Sequence, residues 1–206
     1  TANEGDSRDY DGYSEEERLD DLELDETVFP NADELFTAYG DIKVTSANGD
    51  FDNDGDFDAI YTYGARSFSI WNGSTGALVY DSGDDFEQIV SNHPEYFKLF
   101  NVTDDGSTTK NRSDDKGPEP EAVVIGEFNG KDYAFVGMER TGGVMVYDVT
   151  DPNNPEFTDI NIPRDTADGS GDQAPEGLIF IPASAAPGNY ALLVAANEAS
   201  NTITVW

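Results

Sequence analysis

Five aspartates are concentrated in one short acidic segment, residues 50–58, which reads D-x-D-x-D-G-x-x-D. Carboxylates at alternate positions converge on one point when the loop wraps, and the glycine permits a sharp turn. Oxygen ligands of this kind suit Ca²⁺. The twelfth position is Tyr61 rather than the glutamate of an EF-hand, so the pattern predicts a shorter calcium loop between strands, with the alternative of a solvated acidic turn. The expected ligands are Asp50, Asp52, Asp54, Asp56 and Asp58.

A second set of acidic residues recurs at corresponding positions along the chain. Glu4, Glu139 and Glu198 end the same strand of a repeated unit, and Glu121 and Glu176 each follow a proline that opens another strand. With Asp6, near the start of the chain, they form the second predicted set of metal ligands. Three arginines lie nearby in a chain with few cations: Arg66, Arg112 and Arg140. Carboxylates that hold a metal beside arginine forks would bind and polarise a phosphate ester, with Glu139 and the three arginines as the catalytic group. The alternative is a set of structural ion pairs that recur because the units recur.

The elements that must position these residues are short strands in a repeated order. Glu139 and Glu198 lie 59 positions apart, as do Val144 and Ile203, and each unit holds three β-branched or aromatic runs separated by turn residues. Units of this size and content are typical of propeller blades. The sequence therefore predicts an all-β propeller of about three blades plus a remnant, which is either a compact four-bladed ring or, the reading we favour, part of a larger propeller.

We expect the whole chain, residues 1–206, to form one portion of a propeller that carries an acidic insertion. The insertion covers 5–44, the calcium loop 45–58, and the blades 59–100, 119–162 and 174–206. Ser14 and Glu17 fit a capping box, and Asn31 is placed to cap a second short helix that ends at Tyr39. The insertion is therefore expected to be partly helical.

Composition excludes several classes of function. The formal charge of −32, from 11 basic and 43 acidic residues, opposes binding to nucleic acid or to an anionic membrane. No cysteine is present, and His93 is the single histidine, which excludes thiolate sites, histidine-rich zinc sites and cysteine nucleophiles. No apolar run is long enough to span a bilayer. The acidic, cysteine-free composition is typical of a secreted or surface-exposed protein, extracellular or periplasmic.

Several strings resemble the choice-of-anchor I domain family of bacterial exported proteins, at 1–12, 64–71, 81–88, 112–121, 139–152 and 174–182. The chain is similar to the C-terminal half of that domain. The resemblance implies an exported β-propeller related to proteins labelled as alkaline phosphatases or phytase-like esterases. It carries over these acidic and basic residues: Glu4, Asp6, Arg8, Asp9, Arg66, Arg112, Asp114, Lys116, Glu119, Glu121, Glu139, Arg140, Asp172, Glu176 and Glu198.

Two functions follow from these patterns. One is a calcium-stabilised phosphomonoesterase that uses Ca²⁺ and a second divalent or trivalent metal to hydrolyse phosphate esters. The other is a non-catalytic, calcium-loaded module for adhesion or extracellular assembly. In both, the expected partner is the remainder of the parent chain or another protein chain, because a propeller must close to protect its edges.

Overall fold

The computed structural model describes residues 1–103 and 108–206 and contains far more strand than helix, which confirms the β-rich class. The two α-helices are α1 (Ala32–Tyr39) and α2 (Asp85–Asn92). Single 3-10 turns occur at Leu19–Asp21, Tyr96–Leu99 and Pro187–Asn189. The strands are β1 (Asp9–Tyr10), β2 (Tyr13–Ser14), β3 (Glu16–Arg18), β4 (Lys43–Thr45), β5 (Ser69–Trp71), β6 (Leu78–Asp81), β7 (Pro120–Phe128), β8 (Lys131–Met138), β9 (Val144–Asp148), β10 (Glu156–Asn161), β11 (Pro175–Ile181), β12 (Leu192–Asn197) and β13 (Thr202–Val205). No helix in these described ranges is long and apolar enough to cross a membrane.

The chain forms two compact units. The smaller unit comprises Gly5–Ala65 and Ser113–Lys116. It contains β1 to β4 and α1, and its small core is built from Leu19, Leu22, Leu24 and Val44. The larger unit comprises Thr1–Glu4, Arg66–Arg112 and Gly117–Trp206 and contains β5 to β13 and α2.

The acidic insertion is only partly helical. Helix α1 follows Asn31 as expected, although the Asn31 side chain makes no capping hydrogen bond. The helix predicted from Ser14 is wrong, because Ser14 ends β2 and the next residues form β3. Strand β3 pairs with β4, and Lys43 Nζ lies 2.8 Å from a carboxylate oxygen of Glu16. Pairing with a distant strand therefore overrides the local capping pattern.

Two sheets of the larger unit repeat the same pairing pattern. One is antiparallel in the order β10-β9-β8-β7, and the other in the order β11-β12-β13. Val144 pairs with Gly137 in the first sheet, and Ile203 pairs with Ala196 in the second. Both first strands carry a bulge just after their opening proline. The paired residues and the bulge reproduce the repeat seen in the sequence.

A third, shorter sheet, β5 and β6, has a polar network of the same pattern as one in the β11–β13 sheet. In each, an asparagine amide donates to two hydroxyls that lie two residues apart, and those hydroxyls also bond to one aspartate. The first set is Asn3, Ser67, Ser69 and Asp81, beside β5 and β6; the second is Asn197, Thr202, Thr204 and Asp172. The segment at Ala2, which bridges to Phe68, therefore corresponds to the end of β12.

The core of the larger unit is aromatic. The ring of Phe68 lies 4.8 Å from that of Tyr147 and 6.2 Å from that of Phe86, centroid to centroid. Helix α2 contributes Phe86 and Val90, which are fully buried. The hydroxyl of Tyr147 donates to Asp85 at 3.4 Å, so the one polar atom of this buried ring has a partner. The α2 helix and the β7–β10 sheet are thereby fixed to each other.

Candidate metal centre

The repeated sheets place glutamates at corresponding strand ends. The backbone N–H of Glu139 donates to the carbonyl of Glu119 at 2.7 Å, and that of Glu198 donates to the carbonyl of Ala174 at 2.8 Å. Both acceptor residues have a positive φ, 51° and 60°. Glu121 falls in the bulge of β7, as Glu176 does in that of β11, and a bulge redirects the side chain it carries. The same backbone device therefore presents carboxylates at one end of both sheets.

Two groups of three carboxylates meet at Glu139. In the first, one oxygen each of Glu4, Glu119 and Glu139 lie within 4.8 Å of one another; in the second the same holds for Glu121, Glu139 and Glu176. We call these two groups together the glutamate cluster. Glu119 is fully buried, and Glu139 is 8 % exposed. The cluster thus contains five carboxylates, and Glu139 belongs to both groups.

Two arginines partly neutralise the cluster. Arg112 forms an ion pair with Glu119. Arg140 Nε lies 3.2 Å from the second oxygen of Glu119, and its Nη1 lies 2.6 Å from an oxygen of Glu139. Both arginine side chains remain 22 % exposed, although their Nε atoms are buried. Arg112 and Arg140, two of the three arginines predicted to act beside Glu139, therefore lie in contact with the cluster.

The environment separates the pKa values of the two central carboxyls. Burial alone would raise the pKa of Glu119, but the hydrogen bond and charge of Arg112 hold it below its ordinary value. Burial, followed by the hydrogen bond to Glu119, raises the pKa of Glu139 to about 8. At neutral pH, without a cation, Glu139 is protonated, and its carboxyl O–H donates a hydrogen bond to Glu119. The site thus carries a carboxyl that is protonated at neutral pH and that a nearby positive charge would help to ionise.

A second carboxyl pair lies beside the cluster. The hydrogen bond between Glu176 and Glu198, followed by burial and the charge of Glu121, raises the pKa of Glu176 to about 7. These two side chains line an open cleft of about 620 Å³, together with Asn197, Asn201 and Thr202 among others. Glu198, predicted as a metal ligand, therefore contacts the cluster through Glu176 and is not a member of either group of three.

The aspartate loop brings three of its five carboxylates together. One oxygen each of Asp50, Asp52 and Asp58 lie within 4.8 Å of one another. The loop closes on itself because Asp58 accepts from the Phe51 N–H at 2.8 Å and Asp50 accepts from the Asn53 N–H at 2.7 Å. Burial and the neighbouring carboxylates raise the pKa of Asp52. This arrangement concentrates negative charge at one side of a wrapped turn.

The other two aspartates of the loop stand outside that group. Asp54 accepts from the backbone N–H of Asp56 at 3.3 Å. Burial, with the charges of Asp54 and Asp25, raises the pKa of Asp56 to about 6. One carboxylate oxygen of Asp56 is buried and has no hydrogen-bond partner among the described residues. A cation is the kind of partner that such an oxygen lacks.

Two predicted site residues have other contacts. Arg66 lies 3.1 Å from Glu87 on α2. Asp6 is 77 % exposed at its side chain and lies 3.5 Å from Lys116 Nζ in the smaller unit. Asp6 is in neither group of three, so its assignment as a ligand stays a prediction from the sequence.

Residue spacing did not predict Glu119 as a member of the acidic group, and only the family resemblance included it. Its position is set by a positive φ at a non-glycine residue, which sequence periodicity does not reveal. One signal was present: Glu119 stands 55 positions before Ala174, the same offset that separates Glu121 from Glu176.

Comparisons with known proteins give one family and one relative. The model of a family described as the choice-of-anchor I domain matches residues 1–152. Gigasin-3a of Magallana gigas is 36 % identical over 116 residues, which cover 52 % of this chain and 39 % of the relative. The chain therefore matches well under half the length of that protein. No solved structure gave a significant match.

Proposed function

The chain belongs to the choice-of-anchor I family, and from that premise we propose that it is part of an exported β-propeller that binds divalent cations at the glutamate cluster and hydrolyses phosphate monoesters there. Ca²⁺ is the favoured ion. The observation that carries the proposal is that Glu139 belongs to two groups of carboxylates while it also contacts Arg140.

The propeller arrangement is supported by three repeated units. The β7–β10 and β11–β13 sheets have the same pairing register and a bulge at the same position. The sheet of β5 and β6 has a polar network around Asn3 that matches the network around Asn197. Small antiparallel sheets of this kind, repeated along a chain, are typical of blades. In a propeller, corresponding strand ends lie at a similar distance from the axis. We therefore assign blades to 59–100, 119–162 and 174–206, and the glutamate cluster to the mouth of a channel.

The donor set fits a hard divalent cation. Every candidate ligand atom is a carboxylate oxygen, and Ca²⁺ and other hard ions prefer oxygen ligands. Burial, hydrogen bonds between carboxyls and, to a smaller extent, repulsion from neighbouring carboxylates raise the pKa values of Glu139 and Glu176. A cation would replace the shared protons and relieve that repulsion. A second divalent or trivalent metal is accommodated because the two groups of three share one residue.

The residues of the cluster also suit phosphate chemistry. A divalent cation held by these carboxylates would polarise a phosphoryl oxygen and orient a water for attack. Arg112 and Arg140 present planar forks that match phosphate oxygens, and their partial exposure leaves them accessible. Glu119 holds both forks in place from a fully buried position. Arg66 is proposed to assist by its charge alone.

The aspartate loop is proposed as a separate calcium position with a structural role. Asp50, Asp52 and Asp58 supply the converging oxygens, and Asp56 in the same loop has a buried carboxylate oxygen without a hydrogen-bond partner. The loop belongs to the smaller unit, so its stability can be read apart from the glutamate cluster. Calcium bound here would stabilise the loop without any contribution to catalysis.

The family supports a secreted or cell-surface location, extracellular or periplasmic. We propose the remainder of the parent chain, or another protein chain, as the partner that completes the ring of blades. The partner would not be a nucleic acid, because a chain of formal charge −32 repels phosphate backbones.

The experiment is turnover of p-nitrophenyl phosphate by the chain with and without added Ca²⁺. We expect calcium-dependent turnover that Glu139→Gln abolishes and that Glu127→Gln, a change at an exposed strand position, leaves intact. Calcium binding without any turnover would overturn the hydrolase and leave a calcium-loaded module for adhesion or extracellular assembly. If Asp52→Asn in the aspartate loop loses calcium binding while Glu139→Gln binds calcium as the wild type does, the glutamate cluster is overturned as a cation site.

A further inference from the structure

Arg164, which follows β10, is a buried charged residue that the proposed function does not use. It is 3 % exposed. Each of its three guanidinium nitrogens donates to a backbone carbonyl: Nε to Gly169 at 2.7 Å, Nη1 to Arg140 at 2.7 Å and Nη2 to Thr103 at 2.8 Å. A guanidinium keeps its charge when it is buried, so its removal from water costs free energy that hydrogen bonds must offset. Arg164 therefore holds three segments of the chain together at one point.

One of these segments is the turn between β8 and β9, which carries two residues of the glutamate cluster and its arginines. Glu139 and Arg140 open that turn. Arg140 is held on both sides, because its N–H donates to the Pro118 carbonyl at 3.3 Å and its carbonyl accepts from Arg164. The two peptide groups that flank Arg140 are thereby fixed.

The direction of the Arg140 side chain follows from that backbone. Its guanidinium lies 3.2 Å from an oxygen of Glu119 and 2.6 Å from an oxygen of Glu139. Pro118 directly precedes Glu119, so the bond to its carbonyl sets the turn against the segment that carries this buried carboxylate. A shift of the turn would move the fork relative to both carboxylates, and such bonds weaken steeply as their geometry departs from the optimum.

Arg164 also packs directly against the same turn. Gly142, in that turn, has a φ of 79°, and a Cβ at this position would lie 3.4 Å from Cδ of Arg164. Arg164 itself bridges to Gly171 in an isolated antiparallel pair, which fixes its own backbone. The carbonyl of Arg140 therefore meets a donor whose position is set outside the turn.

We propose that Arg164 is a positioning residue for the glutamate cluster: it fixes the turn that carries Arg140, so that the Arg140 fork is held ready for a phosphate group. This inference rests on the proposed function, which assigns the recognition of phosphate oxygens to Arg140. Arg164 is too deeply buried to contact a phosphate itself and acts through Arg140.

The first test is calorimetry of inorganic phosphate with the calcium-loaded chain, with calcium low enough to keep calcium phosphate in solution. We expect Arg164→Lys to weaken phosphate binding at least about tenfold, because the single nitrogen of lysine cannot reach three separate carbonyls as the planar guanidinium does. Arg18→Lys, at an ion pair with Asp114 in the smaller unit, is the matched control and should bind phosphate as the wild type does.

A double-mutant cycle separates positioning from a general structural role. In an Arg140→Gln background, Arg164→Lys should cause no further loss of phosphate binding, since a residue that acts through Arg140 has nothing left to position. Equal losses in the wild-type and Arg140→Gln backgrounds would overturn the proposal.

Amide exchange in EDTA tests the same inference without any cation or phosphate. Arg164→Lys should speed exchange of the Arg140 N–H at least about tenfold and leave the N–H of Glu198, in the corresponding turn of the β11–β13 sheet, unchanged. If the wild type binds no phosphate, the proposed function is overturned, and this measurement decides whether Arg164 positions Arg140. Unchanged exchange at Arg140, or an equal rise at both amides, would overturn the positioning role. Arg164→Gln, which leaves no buried ammonium, repeats the measurements if Arg164→Lys fails to fold.

Discussion

Replacement of Glu139 by glutamine should stabilise the cation-free protein at alkaline pH and weaken the cation-bound one. Glutamine keeps the shape of the carboxyl and cannot ionise. The folded protein holds the Glu139 proton to about pH 8, whereas the ordinary value is 4.5. Because the folded state binds the proton more tightly than the unfolded state, stability falls as pH rises from about 4.5 to about 8. Glu139→Gln removes that fall.

The size of the effect follows from the same pKa. One pKa unit corresponds to about 1.36 kcal/mol, so a rise from 4.5 to about 8 gives at most about 5 kcal/mol above pH 8. In a chain of this length each kcal/mol changes the melting temperature by about 2–4 °C. At pH 5 the wild-type carboxyl is already protonated, and the variant should match it closely.

The assay is thermal unfolding at pH 5 and pH 9, in EDTA and in excess calcium. In EDTA at pH 9 we expect Glu139→Gln to melt above the wild type. In calcium the order should reverse, since the variant lacks the ligand that both groups of carboxylates share. Glu127→Gln serves as the control at an exposed position. A variant that melts below the wild type at pH 9 in EDTA would refute the argument that the folded protein disfavours the ionised form of Glu139.

Three further changes test the fold and the loop. Phe86→Ala, in the aromatic core, should cost about 3–5 kcal/mol in urea unfolding, and a loss below about 1 kcal/mol would contradict the packing. Gly143→Ala should destabilise the protein more than Gly130→Ala: both have a positive φ, but a Cβ at Gly143 would lie 2.3 Å from a backbone oxygen of β10 while Gly130 faces open space. Asp52→Asn should remove the calcium-dependent rise in melting temperature and leave the value in EDTA unchanged or higher, because the pKa of Asp52 is raised by its neighbours, and Asp54→Asn should have a smaller effect. Equal losses from Asp52→Asn in both buffers would contradict its assignment as a ligand.

The sequence predicted the repeated part of the structure well. Glu139 and Glu198 occupy corresponding strand ends, as predicted. This could be predicted because the alternation within each strand and the opening Pro-Glu pairs are local patterns, and each of them occurs twice in the repeat. The β-rich class and the helix that ends at Tyr39 follow from similar local patterns. Features encoded within a few neighbouring residues could therefore be read directly.

Features that depend on distant pairing or on backbone hydrogen bonds could not be read. The segment after Ser14 forms a strand because Lys43 and its neighbours pair with it from far along the chain. Glu119 enters the cluster through a positive φ that spacing does not show. In the aspartate loop, spacing alone could not show that Asp50, Asp52 and Asp58 would converge while the other two aspartates stand outside that group.

The most direct test of the glutamate cluster is an anomalous difference map from crystals of the chain grown or soaked with Mn²⁺, an ion that prefers the same oxygen ligands. The account predicts a peak at bonding distance, about 2–2.5 Å, from a carboxylate oxygen of Glu139, with a second ligand from Glu119 or Glu121. A map with full peaks elsewhere and none beside Glu139 would contradict it.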